Sequence, residues 1–595
     1  MVRFDIADCD RDAVAQLCER VGVSDPIAQA LVRRGYADPD RAAAFLAADE
    51  RHGLEDFPGL LDAARLIVDR ACSGMRITIH GDYDVDGVCS TAVLVRALRK
   101  LGAHCDWHLP DRAEGYGLSA ETVRRLYERG TGLLITADCG ITAVEEVALA
   151  RSLGIEVIVS DHHRARPDGV LPDAPIVHPG ISGYPCPELC ATAVAHKLAQ
   201  ACFAVAGSSD HDPRQLEEDL DLVALATIAD VVPLLGENRS LTRRGLRALA
   251  GTNKPGLRAL MAVARIDPSK VTERAVGFGL APRINAAGRL YRADAALELI
   301  MTEDRTRAAV LAEELDRANS ERRQGEQMIR GQAEAQIAQL PDVGERWSYV
   351  LAAEGWHPGV IGIVASRLAE MHGRPVVLVA IEQDRARGSG RSVEGYDLLA
   401  GLTACSEHLG RYGGHSAAAG VELGRESLED FAATFERHAA AALSGRDPAR
   451  CERVDAVVTG PELGMELAEE LATLAPFGRG NPTVSLLVRG ALVSEVRSMG
   501  EGKHARFRLQ AGGAHARAVA FGCDGRLPVS EGEPVDATFA LEVNEWRGVS
   551  EPRIVLREAQ PASREATLTT WQRHGQAQST LFPLPQLLDA SAAPI

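Results

Sequence analysis

Short apolar runs that end in acidic or histidine residues recur through the first part of the chain. Arg76-Ile-Thr-Ile-His80 precedes a stretch with helical spacing over residues 88–101. Leu133-Leu-Ile-Thr136 precedes a second such stretch, 143–153, and Val157-Ile-Val159 is a third run. Strand and helix in alternation predict a mostly parallel sheet with helices on its faces. The runs end in Asp82 to Asp86, in Asp138, and in Asp161 to His163. Ligands of open α/β sheets gather outside the carboxyl ends of the strands, so these clusters are expected to converge on one site.

Residues 302–339 are charged, Ala-rich and nearly free of turn residues, which predicts a long helix joining two lobes. A second α/β unit follows, with Tyr349-Val-Leu-Ala-Ala353, a helix over 359–371, and Val376-Val-Leu-Val-Ala380. From about residue 453 short alternating runs separated by turn residues predict a small β-barrel. The expected fold class is therefore α/β with a C-terminal barrel. Its divisions are a helical segment (1–53), a catalytic domain (54–300), a linking helix (301–343), a second α/β domain (344–450), the barrel (451–560) and a disordered tail (561–595).

With 595 residues the chain exceeds what one core supports. It lacks the long apolar run a membrane helix needs, and its acidic start does not resemble a signal peptide. Twelve scattered Cys read as reduced thiols in a cytoplasm. The net charge of −18 argues against a nucleic-acid partner. Two points weaken that argument: a metal site needs carboxylates whose sign the cations reverse, and phosphate contact needs only a local basic strip.

The candidate chemistry lies in His80-Gly-Asp-Tyr-Asp-Val-Asp-Gly87, Asp138-Cys-Gly140, Asp161-His162-His163, and Asp230 within an apolar run. Singly, the first reads as solvated surface and the second as a helix cap, whereas adjacent histidines beside an acid at a strand end, and an acid inside an apolar run, point more strongly to a metal. Jointly, acids and neutral imidazoles attached to buried runs suit Mn²⁺ and tolerate Mg²⁺. Two such ions clamp a phosphoryl group during in-line displacement. Gly277-Phe-Gly-Leu-Ala-Pro-Arg-Ile-Asn-Ala-Ala-Gly-Arg289 is a candidate phosphate-handling loop. Gly388-Ser-Gly-Arg-Ser392 and Arg411-Tyr-Gly-Gly-His415 are further Gly-rich elements. In the barrel, Lys503, His504, Arg506, Arg508, Arg517 and Arg547, with Phe507 and Trp546, offer cations and stacking faces.

These four acidic and histidine segments resemble, in order, the motifs of the DHH phosphoesterases, and the remainder resembles the RecJ family within that group. The resemblance spans residues 54–556. It implies metal ligation by His80, Asp84, Asp86, Asp138, His162 and Asp230, with Asp138 as the bridge and Asp82 as a ligand or its support. It implies that Asp161 orients its neighbours and that His163 faces the scissile phosphate. It also implies a 5′-phosphate pocket of Arg112, Ser389 and Arg391, and nucleic-acid contacts from Arg283, Asn285, Arg289, His415 and the barrel residues. The expected activity is metal-dependent 5′-to-3′ exonucleolysis of single-stranded DNA to 5′-mononucleotides in repair and recombination. Expected partners are a single-strand-binding protein, a RecQ-type helicase and, through Gln578, Leu581 and Phe582, a sliding clamp. No membrane association is expected.

Two other functions stay open at this point: a DHH phosphodiesterase on short RNA or cyclic dinucleotides, and a non-catalytic replication scaffold. The barrel disfavours the first, and the complete ligand set disfavours the second. The pattern departs from the family at His178-Pro179, where Asn-Pro is expected. Cys186 and Cys190 near His178 suggest zinc, but their spacing is loose and core thiols are the stronger reading.

Overall fold

Parallel strands covered on both faces lose the polar alternation of half-exposed ones, which explains the uninterrupted apolar runs. In the computed structural model β1 (Ile77–His80) and β3 (Leu133–Ala137) are buried throughout, and β4 (Glu156–Ser160) all but at its first residue. With β2 (Cys105–His108) and β5 (Ile176–Val177) they form a five-stranded sheet, order β2-β1-β3-β4-β5, parallel throughout. The structure describes residues 3–110, 116–207, 217, 219–290, 293–341, 343–445, 451–546 and 548–562. These fall into two units, one of Arg51–Pro233 with Ser240–Pro448, the other of Met1–Glu50, Leu234–Arg239 and Ala449–Ile595.

In the first of these units, helices α1 (Val85–Lys100), α2 (Ala191–Ala206) and α3 (Leu220–Ala229) are apolar almost all round and pack in one core with the sheet. Helix α4 (Ala281–Leu290) leads towards α5 (Arg305–Gln339), a helix of 35 residues capped by Asp304. The linker reading of α5 has a physical basis: Leu311 and Leu315 enter the core of the first lobe, whereas Ile329, Ala333 and Ile337 enter a separate cluster. That second cluster belongs to a sheet of β6 (Tyr349–Glu354), β7 (Val376–Glu382), β8 (Arg385–Arg391), β9 (Arg411–Gly414) and β10 (Ala418–Gly424). Its order is β9-β10-β8-β7-β6, and α6 (Pro358–His372) packs on β7 and β8.

In the other unit, β11 (Leu486–Met499), β12 (His504–Ala511), β13 (Ala514–Ala520), β14 (Pro534–Trp546) and β15 (Val549–Pro561) close into a barrel. Closure comes from pairing of β14 with both β15 and β11. The N-terminal segment, read from sequence as a separate division, contributes to this core: Val14, Leu17, Ile27, Leu31 and Phe45 cluster with Leu467, Leu486 and Phe539. The buried Arg34–Asp455 pair (2.9 Å) and a parallel bridge of Arg3–Asp5 with Cys451–Arg453 complete the attachment. Among the described residues no helix is long and apolar enough to cross a membrane.

Candidate metal centre

Each polar cluster sits where a parallel strand ends. After β1, Asp84 caps α1, accepting from the N–H groups of Asp86 (3.0 Å) and Gly87 (3.1 Å). The turn closes tightly because residue 87 is glycine: a Cβ there would stand 2.5 Å from the backbone of Asp82. After β3, Asp138 takes a left-handed backbone (φ 68°), which Asp tolerates better than most residues. After β4 come Asp161, His162 and His163, and Asp230 ends α3.

The side chains then converge. Three sets of ligand atoms each lie within 4.8 Å of one another: Asp82, Asp84 and Asp138; Asp86, His162 and Asp230; and Asp138, His162 and His163. Asp138 and His162 each belong to two sets, so the sets are contiguous. His162 Nε2 is 3.3 Å from Asp138 Oδ1 and 3.7 Å from both Asp86 and Asp230. The atoms fit a divalent cation. Asp138 Oδ1, His162 Nε2 and both ring nitrogens of His80 are buried with no hydrogen-bond partner, a costly state that cation ligation relieves. His80 lies outside the three sets and stacks on His108.

The charges agree. Burial, then repulsion from Asp86, Asp84, Asp82 and Asp161, raises the Asp138 carboxyl well above its ordinary range. Burial and Asp86 raise Asp84. Burial lowers His162, and it lowers His80 to about 3, keeping these imidazoles neutral and fit to ligate. Burial also opposes the Asp161 charge, but hydrogen bonds from His163 and from the Ile141 N–H outweigh it and hold that carboxyl low. In His163 burial opposes the charge too; Asp161 outweighs it and lifts the imidazole to about 9.

Asp161 thereby differs from its neighbours. Its Oδ1 takes the N–H groups of His162 (2.7 Å) and His163 (3.1 Å) and the His163 ring (2.8 Å), while Oδ2 takes Ile141 N–H (2.9 Å). It shapes the turn and aims His163. Asp86 is held from behind by the α2 N-terminus, with Ala191 N–H at 2.8 Å and Thr192 N–H and hydroxyl at 2.7 and 2.6 Å. The sequence did not reveal these supports, nor Tyr116, whose hydroxyl reaches the Asp138 carbonyl (3.1 Å) and His163 Nδ1 (3.0 Å).

The zinc alternative gains no support. His178 caps a short helix, its Nδ1 accepting from Gly180 and Ile181 N–H while Nε2 donates to the His163 carbonyl (2.7 Å). Both ring nitrogens are engaged, Nδ1 in the helix cap and Nε2 in holding the histidine turn. Cys186 and Cys190 are buried thiols, and Cys190 contacts Thr227.

The candidate substrate residues divide. Ser389 and Arg391 lie two apart on β8, and Arg391 Nη1 donates to Ser389 Oγ (3.0 Å). Gly362 of α6 makes room for both, since a Cβ there would stand 2.8 Å from Ser389 Oγ and 3.0 Å from Arg391 Nη2. Arg289 reaches the same helix, donating to the Gly359 carbonyl (2.9 Å). Asn285 instead accepts from Val85 N–H (3.1 Å) and so braces the Asp84 turn. Arg283 departs from expectation: its guanidinium is bound to Asp316 (2.9 and 2.8 Å) and the Gly279 carbonyl (2.6 Å), tying α4 to α5 instead of facing a strand. His415 is exposed at the β9–β10 turn. On β12 Arg506 and Arg508 point outward, and Lys503 precedes the strand exposed. Phe507 corrects another expectation, since alternation buries it in the barrel core; the exposed aromatic there is Phe521, edge-on to His504. Arg112, Arg547 and the tail residues Gln578, Leu581 and Phe582 lie outside the described residues, as does the Trp546 side chain.

Acids and histidines at the ends of adjacent parallel strands, followed by a second α/β lobe, define a metal-dependent phosphoesterase of the DHH class. The DHH family N-terminal domain matches residues 76–227, the DHHA1 domain 347–441 and the RecJ OB domain 454–558. The chain is 36% identical to the single-stranded-DNA-specific exonuclease RecJ of Bacillus subtilis, over 94% of this chain and 71% of that one. Against its Salmonella typhimurium namesake identity is 35%, covering 89% and 96%. The crystal structure of Thermus thermophilus RecJ with Mn²⁺ superposes with a TM-score of 0.81 at 32% identity, covering 94% of this chain and 80% of that one. The chain belongs to the RecJ family.

Proposed function

We propose that this protein is a single-strand-specific DNA exonuclease that removes 5′-mononucleotides in the 5′-to-3′ direction during repair and recombination. The observation that carries the reading is the contiguity of the three carboxylate and histidine sets through Asp138 and His162. In this reading Asp84, Asp86, Asp138, His162 and Asp230, with His80 and Asp82, hold two Mn²⁺ or Mg²⁺ ions, the ions found in Thermus RecJ. Such ions supply Lewis-acid polarisation of the phosphoryl group and an activated water. Asp161 fixes the His163 ring, and His163 stabilises the phosphoryl oxygens or gives a proton to the leaving oxygen. Ser389 and Arg391, joined by Arg112, bind the 5′-terminal phosphate, and Arg289 contacts the strand. That sets polarity, because a pocket for a terminal dianion does not admit a continuing chain. Asn285 steadies the turn, and His415, Lys503, Arg506, Arg508, Trp546 and Arg547 hold the strand further along.

Partnership with a single-strand-binding protein, a RecQ-type helicase and a sliding clamp through Gln578, Leu581 and Phe582 rests on sequence resemblance. A cytoplasmic setting agrees with twelve cysteines present as thiols. The test compares 5′-labelled and 3′-labelled single strands and duplexes in Mn²⁺. Early release of labelled mononucleotide from the 5′-labelled single strand supports the proposal. Release from the 3′ end, or equal attack on blunt duplex, overturns it.

A further inference from the structure

Phe278 is the most exposed of the large apolar side chains described, at 82%. Leaving such a ring in water forgoes the gain of burying it. Its exposure is built in. The residue sits in a five-residue π-helical turn, Val276–Leu280, whose ends Val276 and Leu280 are fully buried and pin the turn. Gly277 and Gly279 flank the ring and supply no side chain to shelter it. Turns of this kind inside α-helical segments often mark functional sites.

The surroundings indicate what the ring meets. Gly277 faces Ile228 of α3, its Cβ position 3.6 Å from Ile228 Cγ2, and Ile228 lies two residues before Asp230. Val231, directly after Asp230, is 58% exposed and holds a left-handed backbone (φ 57°). A β-branched residue is strained there, and such strain concentrates at ligand sites. The Arg274 guanidinium lies 5.9 Å from the Phe278 ring centroid. The turn continues directly into α4, which carries Asn285 and Arg289. An exposed ring with a cation beside it, on a turn packed against the helix that ends in Asp230, matches a nucleotide: a flat base next to a phosphodiester. A protein partner would have no need of the metal ligand.

Resting on the nuclease reading above, we propose that Phe278 stacks on an unpaired base of the strand being digested. A paired base inside a duplex has both faces covered by its neighbours, so the ring contributes to single-strand selectivity as well as affinity.

The test uses the full chain with Phe278→Ala, Phe278→Leu and Phe278→Trp. KM and kcat are measured on a 5′-phosphorylated single strand and on the same strand with abasic sites in its 5′-terminal nucleotides. Phe278→Ala is expected to raise KM about tenfold or more, the size of one lost base–aromatic stack, with Tm unchanged. Phe278→Trp keeps the wild-type KM, Phe278→Leu does not, and on the abasic strand wild type and Phe278→Ala become equal. With the wild type active, an unchanged KM in Phe278→Ala overturns the proposal. So does wild-type behaviour of Phe278→Leu, or an equal loss on the abasic strand. A wild type inactive on every strand overturns the nuclease reading and this proposal together.

Discussion

Replacing Asp138 with Asn removes one negative charge from the centre while keeping the side-chain shape. Asn also tolerates the left-handed backbone at this position, whereas Ala would add strain to the comparison. Ligand atoms of Asp82, Asp84 and Asp138 lie within 4.8 Å. At that separation and an effective dielectric of about 20, one pair of unit charges repels by about 3.5 kcal/mol. The raised Asp138 carboxyl shows how the metal-free chain lowers this cost, by retaining a proton. The folded form then binds more protons than the unfolded form. The metal-free protein therefore loses stability as pH rises above the ordinary carboxylate range, and Asp138→Asn flattens that slope. Its gain in stability without metal is on the order of 3.5 kcal/mol for one pair, less what the retained proton already relieves.

Mn²⁺ reverses the comparison. At about a hundred times Kd the ion stabilises wild type by about 2.7 kcal/mol, which raises Tm by about 3 °C for a unit of this size. Asp138→Asn loses most of that rise. Losing an ion worth several kcal/mol of charge stabilisation lowers kcat at least about a hundredfold. Scanning calorimetry with and without Mn²⁺, beside single-strand hydrolysis, reads both effects. Turnover within tenfold of wild type together with a full Mn²⁺-induced shift would refute the reasoning.

Arg391→Ala is expected to reduce the preference for 5′-phosphate over 5′-hydroxyl ends by about tenfold or more, the loss of one charge-assisted hydrogen bond, as measured by competition between the two substrates. His178→Ala removes the donor to the His163 carbonyl and lowers kcat, while His178→Asn, which retains a cap and a donor, stays within about tenfold. Arg506→Ala with Arg508→Ala, measured by strand binding across a salt series, reduces the slope of log K against log salt by about 1.4 if both contact phosphates.

Truncation near residue 450 does not isolate the barrel's contribution, because Val14, Leu17, Ile27 and Leu31 would lose the core they share with it.

The catalytic sheet was legible because strands buried on both faces leave uninterrupted apolar runs, and their polar ends share one edge. The candidate ligands were visible as polar residues at the ends of such runs, although 150 residues of sequence separate His80 from Asp230. Burial of Phe507 was also available, since Ala505, Phe507 and Leu509 alternate with Arg506 and Arg508. Other features depend on partners distant in sequence and leave no local signal. Arg283 reads as a phosphate ligand until Asp316 on α5 occupies its fork. Asn285 reads the same way until Val85 N–H is found against it. The N-terminal helices carry ordinary amphipathic patterns that do not say which surface they cover. His178 could be seen to differ from the family, but only the geometry shows an imidazole doing the capping.

If the contiguous carboxylate and histidine sets hold two divalent cations through Asp138, equilibrium dialysis of the full chain against Mn²⁺, with the ions located by anomalous diffraction, finds two ions per chain, both in contact with Asp138, and at most one in Asp138→Asn. A single ion in the wild type, or two ions neither of which touches Asp138, would contradict it.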